Sequence, residues 1–400
     1  MKRNIGLLAV LLVLGSAAAF AAEGRMEIFE PVVLSGPGIS GRYFLSRDIV
    51  AAAGASAIVI TGTGIEEVDI DLNGFLVRGE AGGADVILAS DLRTLVLRNG
   101  TIKSPVTCPC PSTDVIRINS VGAGASARVV LEGLKITGGH DAVKLIQVAN
   151  YVIARNFILD ADHSGITAAA SAITTTGVIE ENLIREVGDP TAGFGIDISD
   201  PTEGLTIRKN IVSSRFVGVA ITTSSGLTLD DNHVFGGGAS GGSIHVFSSD
   251  SCTVINNRTS NSVGSGIKLR NTDNCLVADN VSNGHGRNGI SLEAASGNLV
   301  VGNVTNDNVR DGIGIEAALA VPSDKNTVDR NVTNDNGRYG IHFDPTSGDN
   351  RYGRNSAVGN TGNAAPCIVT CGTPPDLCDE GPAAPNVSFG DNLVPGVPPC

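Results

Sequence analysis

Ser-Gly-Ile-Lys-Leu-Arg at 265–270, Asn-Gly-Ile-Ser-Leu-Glu at 288–293 and Asp-Gly-Ile-Gly-Ile-Glu at 311–316 are three versions of one segment, 23 residues apart. Working outward, Gly218-Val219 and Ser243-Ile244 open earlier units, and Gly340-Ile341 opens a later one. Asn232, Asn257, Asn280 and Asn303 each stand 13 residues after the apolar residue of their unit. A fixed period of this size means stacked units that each touch only their neighbours. Length therefore does not translate into several globular domains here.

Inside a unit, Gly-Ile-x-Leu-x alternates with period 2, so Ile267 and Leu269 face one way and Lys268 and Arg270 the other. A second apolar pair follows, such as Val254-Ile255 or Leu299-Val300, and then Asn with Val or Ile. Two or three short strands per turn, with Gly and Asn at the corners, wind into a parallel β-helix. Asn suits the corners because it tolerates left-handed backbone angles and its amide can bond the Asn above and below. Asn156, Asn182, Asn210, Asn331 and Asn355 extend the ladder in both directions. A leucine-rich repeat has a similar period, but its Leu-rich signature is absent.

Composition agrees. The chain holds 51 Gly, two Met and no Trp, and its formal charge is −13. Lys2 and Arg3, the apolar run Ile5 to Leu14 and Ala19-Phe20-Ala21 read as a secretory leader over residues 1–21, with export to a secreted, periplasmic or cell-surface location. No later segment is long and apolar enough to span a membrane. The acidic balance opposes nucleic acid as a partner. Residues 22–80 read as an N-terminal cap and first coil, 81–362 as the solenoid and 363–400 as a Pro/Cys-rich tail. Cys367, Cys371, Cys378 and Cys400 are expected to pair among themselves. Cys252 and Cys275, one period apart, read as two stacked core thiols, because adjacent rungs lie about 4.8 Å apart. Oligomeric state is not legible.

The Gly-Ile-x-Leu … Asn-x-Val units resemble the right-handed parallel β-helix repeats of the pectate-lyase-like superfamily over roughly residues 30–362. Asp69 to Gly79 is similar to the first-coil motif of many exported bacterial members. The resemblance implies an all-β, single-stranded, right-handed solenoid of about eleven coils, with a polysaccharide as partner. It selects no activity, since the fold serves lyases, hydrolases, epimerases, tailspikes and adhesins. Galacturonan-hydrolase fragments occur (Asn271-Thr272-Asp273, Gly284-His285-Gly286, Ile267-Lys268), but in the wrong order. Tyr339-Gly340-Ile341-His342-Phe343-Asp344-Pro345 resembles an alginate-epimerase motif, with Thr346 where that motif has His.

The outward positions of the Gly-Ile strand give candidate site residues without reference to a family. Charge concentrates late in the array, at Lys268, Arg270, Glu293, Glu316, His342 and Asp344, the candidate catalytic set. His245 and Phe247 precede them as candidate substrate-binding residues. Glu293 and Glu316 on adjacent rungs are expected to repel, which raises one carboxyl as a general acid requires, or to hold calcium as a candidate cofactor. The alternative is a solvated face. His140-Asp141 and Asp160-Ala161-Asp162-His163 stand at corners and read more simply as structural turns. Phe247 is the sole aromatic on the first eight rungs of this stripe, which speaks against tight binding of a neutral glycan. Two functional readings stand: a polysaccharide lyase, epimerase or hydrolase, or a non-catalytic surface or matrix protein.

Overall fold

A computed structural model describes residues 24–361 apart from 63, 106–112, 120–126, 171–172, 189–191, 200–201 and 239–241, together with 377–379 and 387–388. The leader, Cys108, Cys110, Cys367, Cys371 and Cys400 lie outside the described residues. The chain winds into a solenoid in which every ladder pairing is parallel, as the repeat requires. Among the described residues one sheet is a ladder of 14 strands from Val32–Ser35 to Leu377–Asp379, in keeping with the solenoid expected. A second, 23-stranded sheet holds the other two strands of most turns. The long strands Leu92–Lys103 and Arg128–Thr137 run through the corner that later coils break into two strands.

Ile244, Ile267, Ile290, Ile313 and Ile341 pair rung to rung in a single column, and each is fully buried. Burying such a side chain contributes roughly 1.5–3 kcal/mol, and the column repeats it at every turn. The Gly before Ile267, Ile290 and Ile313 is closely packed, and Ser243 takes the same place before Ile244. A Cβ on Gly218 would stand 2.1 Å from Val234 and 2.5 Å from the carbonyl of Ser243 on the next coil. Backbone and side chain leave no room for a methyl group there.

All nine predicted corner asparagines, from Asn156 to Asn355, are buried and form one ladder. At each step the lower Asn offers Oδ1 to the backbone N–H and amide of the one above, as from Asn257 N to Asn280 Oδ1 at 2.9 Å. The other amide hydrogen reaches a carbonyl of the preceding coil, as from Asn257 Nδ2 to Leu229 O at 2.9 Å. The expected left-handed angle falls one residue earlier. Arg155, Glu181, Lys209, Asp231, Asn256, Asp279, Arg330 and Arg354 carry positive φ, and the ladder asparagines do not. The corner splits its duties: an exposed residue turns the chain, and the buried Asn satisfies the backbone groups the turn leaves unpaired.

Two further ladders occupy other corners. Asn298, Asn326 and Asn350 form one, and Cys252 and Cys275 continue its column. These cysteines form a disulfide with their Cα atoms 4.5 Å apart, so the expectation of free thiols is corrected. The local rung spacing is tighter than the standard value, and it brings the two sulfurs together. Asn308, Asn336 and Asn360 form the other ladder, and His285 takes the next place in it. The Gly-His-Gly fragment is therefore a ladder variant. Ser262 N–H donates to His285 Nδ1 at 3.2 Å, which places the ring proton on Nε2, against Thr259 Oγ1 at 3.1 Å.

Burial pushes the His285 imidazole down to about 4. The unfolded chain binds a proton near 6.5, so this histidine withdraws about 3 kcal/mol of stability as pH falls from 6.5 to 4. Asp114 and Asp197, both raised to about 6 by burial, act in the opposite sense over an overlapping range. The difference between wild type and His285→Asn isolates the effect. In urea unfolding, the variant's stability relative to wild type should rise by about 3 kcal/mol between pH 7 and pH 4. A difference that does not change with pH would refute the assignment of His285 as a buried neutral group.

Candidate functional site

The outward stripe runs along the rod in the order read from the sequence. Lys144, Thr167, Asp197, Ala220, His245, Lys268, Ser291, Gly314 and His342 are consecutive partners. Phe247, Arg270, Glu293 and Glu316 pair in the next column. Charged and aromatic groups on this stripe gather into three clusters.

The middle cluster joins five of the predicted residues. Lys268 Nζ stands 2.7 Å from Glu293 Oε1, and Arg270 Nε stands 3.8 Å from Oε2. The Arg270 guanidinium lies 6.0 Å from the centre of the Phe247 ring. His245 meets Phe247 edge to face at 6.2 Å, and burial, reinforced by the charge of Lys268, pushes its imidazole down to about 4.

In the late cluster, Glu316 Oε1 accepts from Asn288 Nδ2 at 3.1 Å and from Arg310 at 3.4 Å. His342 Nδ1 lies 3.6 Å from the buried Asp311, whose carboxylate also faces Arg338 at 3.7 Å, and its ring stacks on Tyr339 at 5.2 Å. Glu293 and Glu316 are rung neighbours, as expected, but each faces its own cation rather than an unopposed carboxylate. Asp344 stands apart: its Oδ1 accepts from Thr346 N at 2.9 Å and Thr346 Oγ1 at 2.7 Å and closes a turn.

The early cluster joins two turns that the sequence reading set aside as structural. His140 and His163 are 23 residues apart, the period of the array, and winding stacks their rings at 4.5 Å. Asp141 follows His140 and is 1% exposed. Its Oδ1 lies 3.0 Å from His163 Nδ1, and its Oδ2 lies 3.0 Å from Lys144 Nζ. Lys144 is shared with the fully buried Asp114 at 3.7 Å, and Asp114 faces Arg117 at 3.9 Å. Ser164 Oγ lies 2.9 Å from His163 Nδ1. Thus His163 Nδ1 is held on two sides, and Nε2 is the nitrogen left for proton transfer.

The electrostatics follow from this packing. The Asp141 hydrogen bond raises the His163 imidazole above its ordinary value, against the effect of burial. Burial pushes Asp141 up, but the His163 hydrogen bond and the Lys144 charge outweigh it and hold the carboxyl below its usual range. Asp114 rises to about 6 through burial and the charge of Asp141. Asp197 rises to about 6 for the same two reasons. A base held by a carboxylate, two cations and two carboxyls that titrate near 6 form a proton-transfer constellation.

Among the described residues two groups have metal-ligand composition: His140 with Asp141 and His163, and Asp311 with Glu316 and His342. Neither suits calcium, which takes 6–8 oxygen ligands. In the first, near-parallel stacked imidazoles direct their in-plane lone pairs side by side rather than at one point. In the second, Arg310 and Arg338 already neutralise the two carboxylates.

The chain is a right-handed parallel β-helix repeat protein. Residues 56–234 match the family model described as right handed beta helix region, and residues 189–366 match the one described as periplasmic copper-binding protein (NosD); each covers a little under half of the chain. The A-module of a mannuronan C-5 epimerase from Azotobacter vinelandii superposes with a TM-score of 0.56 at 14% identity, over 89% of this chain and 91% of that one. A periplasmic alginate epimerase superposes with a TM-score of 0.50 at 15% identity, over 91% and 79%. At these identities the likeness is one of fold. No curated protein matches the chain by sequence. Among the described residues no helix is long and apolar enough to cross a membrane.

Proposed function

We propose that this protein is an exported or periplasmic enzyme that binds an anionic polysaccharide along its outward stripe and moves a proton on it at His163. The observation that carries this reading is the His163–Asp141 pair at 3.0 Å, set among Lys144, Arg117 and Asp197. The structural neighbours, titled as a mannuronan C-5 epimerase and an alginate epimerase, support a uronate polymer as the substrate class.

Inversion or elimination at the carbon beside a uronate carboxylate begins with loss of its proton. That step needs a base and a cation on the carboxylate. His163 Nε2 takes the proton, and Asp141 stabilises the imidazolium that forms. Lys144 is committed to two carboxylates, so Arg117, whose side chain is 35% exposed, is the cation more open to the substrate. In an elimination the His163 imidazolium hands the proton to the departing glycosidic oxygen, and in an inversion solvent protonates the opposite face. Lys268, Arg270 and Phe247 lie farther along the same stripe and hold the polymer beyond the reacting sugar.

The test is turnover of alginate, polygalacturonate and neutral glucans, read as new unsaturated ends and as C-5 inversion by proton NMR. Turnover of a uronate polymer that His163→Ala loses supports the reading. Retention of the polymer without turnover would favour a non-catalytic adhesive rod. The copper named in the family description finds its best candidate ligands in His342, Asp311 and Glu316, and the two guanidinium groups beside them weigh against a cation there.

A further inference from the structure

Beside the early cluster stands a feature that the sequence reading did not contain. His140 and His163 stack at 4.5 Å, Phe194 meets His163 edge to face at 6.2 Å, and Phe216 meets Phe194 edge to face at 5.9 Å. Four rings on four successive coils thus form one continuous row parallel to the rod axis. All four are only partly buried. The row follows the backbone: His163 N–H donates to His140 O, and Phe194 N–H to His163 O. Farther along the rod, the same type of backbone step links Gly264, Arg287, Arg310 and Arg338. Rings therefore occupy this corner where Asp141, Lys144 and Asp197 lie, and Gly and Arg occupy it beyond.

We propose that Phe194 and Phe216 form a sugar-stacking subsite that extends from the His163 end and grips the residues next to the reacting one. The proposal deepens the proposed function and rests on it. The rings form one wall of the stripe and the charged residues form its floor. A pyranose has an apolar face of C–H groups and an edge of polar groups, and this wall and floor match them respectively. Phe rings suit the task because they bring large rigid contact area and have only two rotatable bonds to fix. The subsite makes the enzyme depend on polymer length: a disaccharide fills the reacting position and its immediate neighbour and leaves the farther ring bare.

Affinity electrophoresis through gels containing alginate or polygalacturonate reads binding, and turnover of polymer against disaccharides reads the length effect. The expected result is that Phe194→Ala and Phe216→Ala each raise KM for the polymer about tenfold. kcat on the polymer should change far less than KM, and Phe→Tyr at either position should restore KM. Circular dichroism melts establish that each variant is folded, and for any that is not, the Tyr and Leu variants at that position supply the same comparison. Polymer KM unchanged in Phe194→Ala and Phe216→Ala, with turnover still lost in His163→Ala, overturns the subsite and leaves the proposed function standing. Wild type that neither retains nor turns over either uronate polymer overturns both.

Discussion

Asn257→Ala should lower the stability of the solenoid by about 4 kcal/mol, because two or three buried polar groups lose their partners at about 1–3 kcal/mol each. Asn257 Oδ1 accepts from the backbone N–H and the amide of Asn232, both at 3.0 Å. Its amide donates to Leu229 O, Ile255 O and Asn280 Oδ1. None of these groups has water to turn to, since Asn232, Asn257 and Asn280 are at most 1% exposed. Asn256 makes the control. It carries the left-handed angle, φ 56°, and its exposed amide reaches Asp230 at 2.9 Å. Asn256→Ala should cost about 1 kcal/mol or less, from backbone strain and one solvated hydrogen bond. Urea unfolding of both variants decides the matter. Equal midpoints for the two would show that the ladder asparagine holds nothing beyond what any corner residue holds.

Loss of turnover by 10²- to 10⁴-fold is the expected result of His163→Ala, the usual worth of a positioned proton-transfer group. The pH profile makes this specific. His163 acts in its neutral form, and Asp141 raises its imidazole above the ordinary value. Activity should therefore climb with pH through an acid limb that lies above 6.5. Asp141→Asn keeps the shape and removes the charge, so the limb should move to lower pH while the maximum rate falls. The same substitution leaves Lys144 without its nearer carboxylate at 3.0 Å, so melting temperature is followed in parallel. An acid limb that stays in place in Asp141→Asn would exclude His163 as the titrating base.

The position of His163 also marks where reading the sequence stopped. Applied to Cys252 and Cys275, the 23-residue period identified rung neighbours. Applied to His140 and His163, the same arithmetic would have paired them, but two short turns with isolated histidines look like ordinary corners. Phe194 and Phe216 were harder, since they stand 31 and 22 residues from their ring neighbours, off the 23-residue period. The charged run from Lys268 to Glu316 was legible because those coils are regular, and the structure brings its members together as cation–carboxylate pairs.

The amino-acid order by itself determined the winding, the interior isoleucine column, the nine-membered asparagine ladder and the outward stripe. A rigid repeat turns sequence spacing into spatial adjacency, and alternation assigns each side chain to a face. Tertiary structure alone decided which corner residue takes the left-handed angle, that Cys252 and Cys275 bond, that His285 substitutes for an asparagine, and that Asp141 holds His163. These depend on how far successive turns approach and rotate. Differences of an ångström between coils convert neighbours into hydrogen bonds, ion pairs or stacked rings, and no count of residues along the chain contains them.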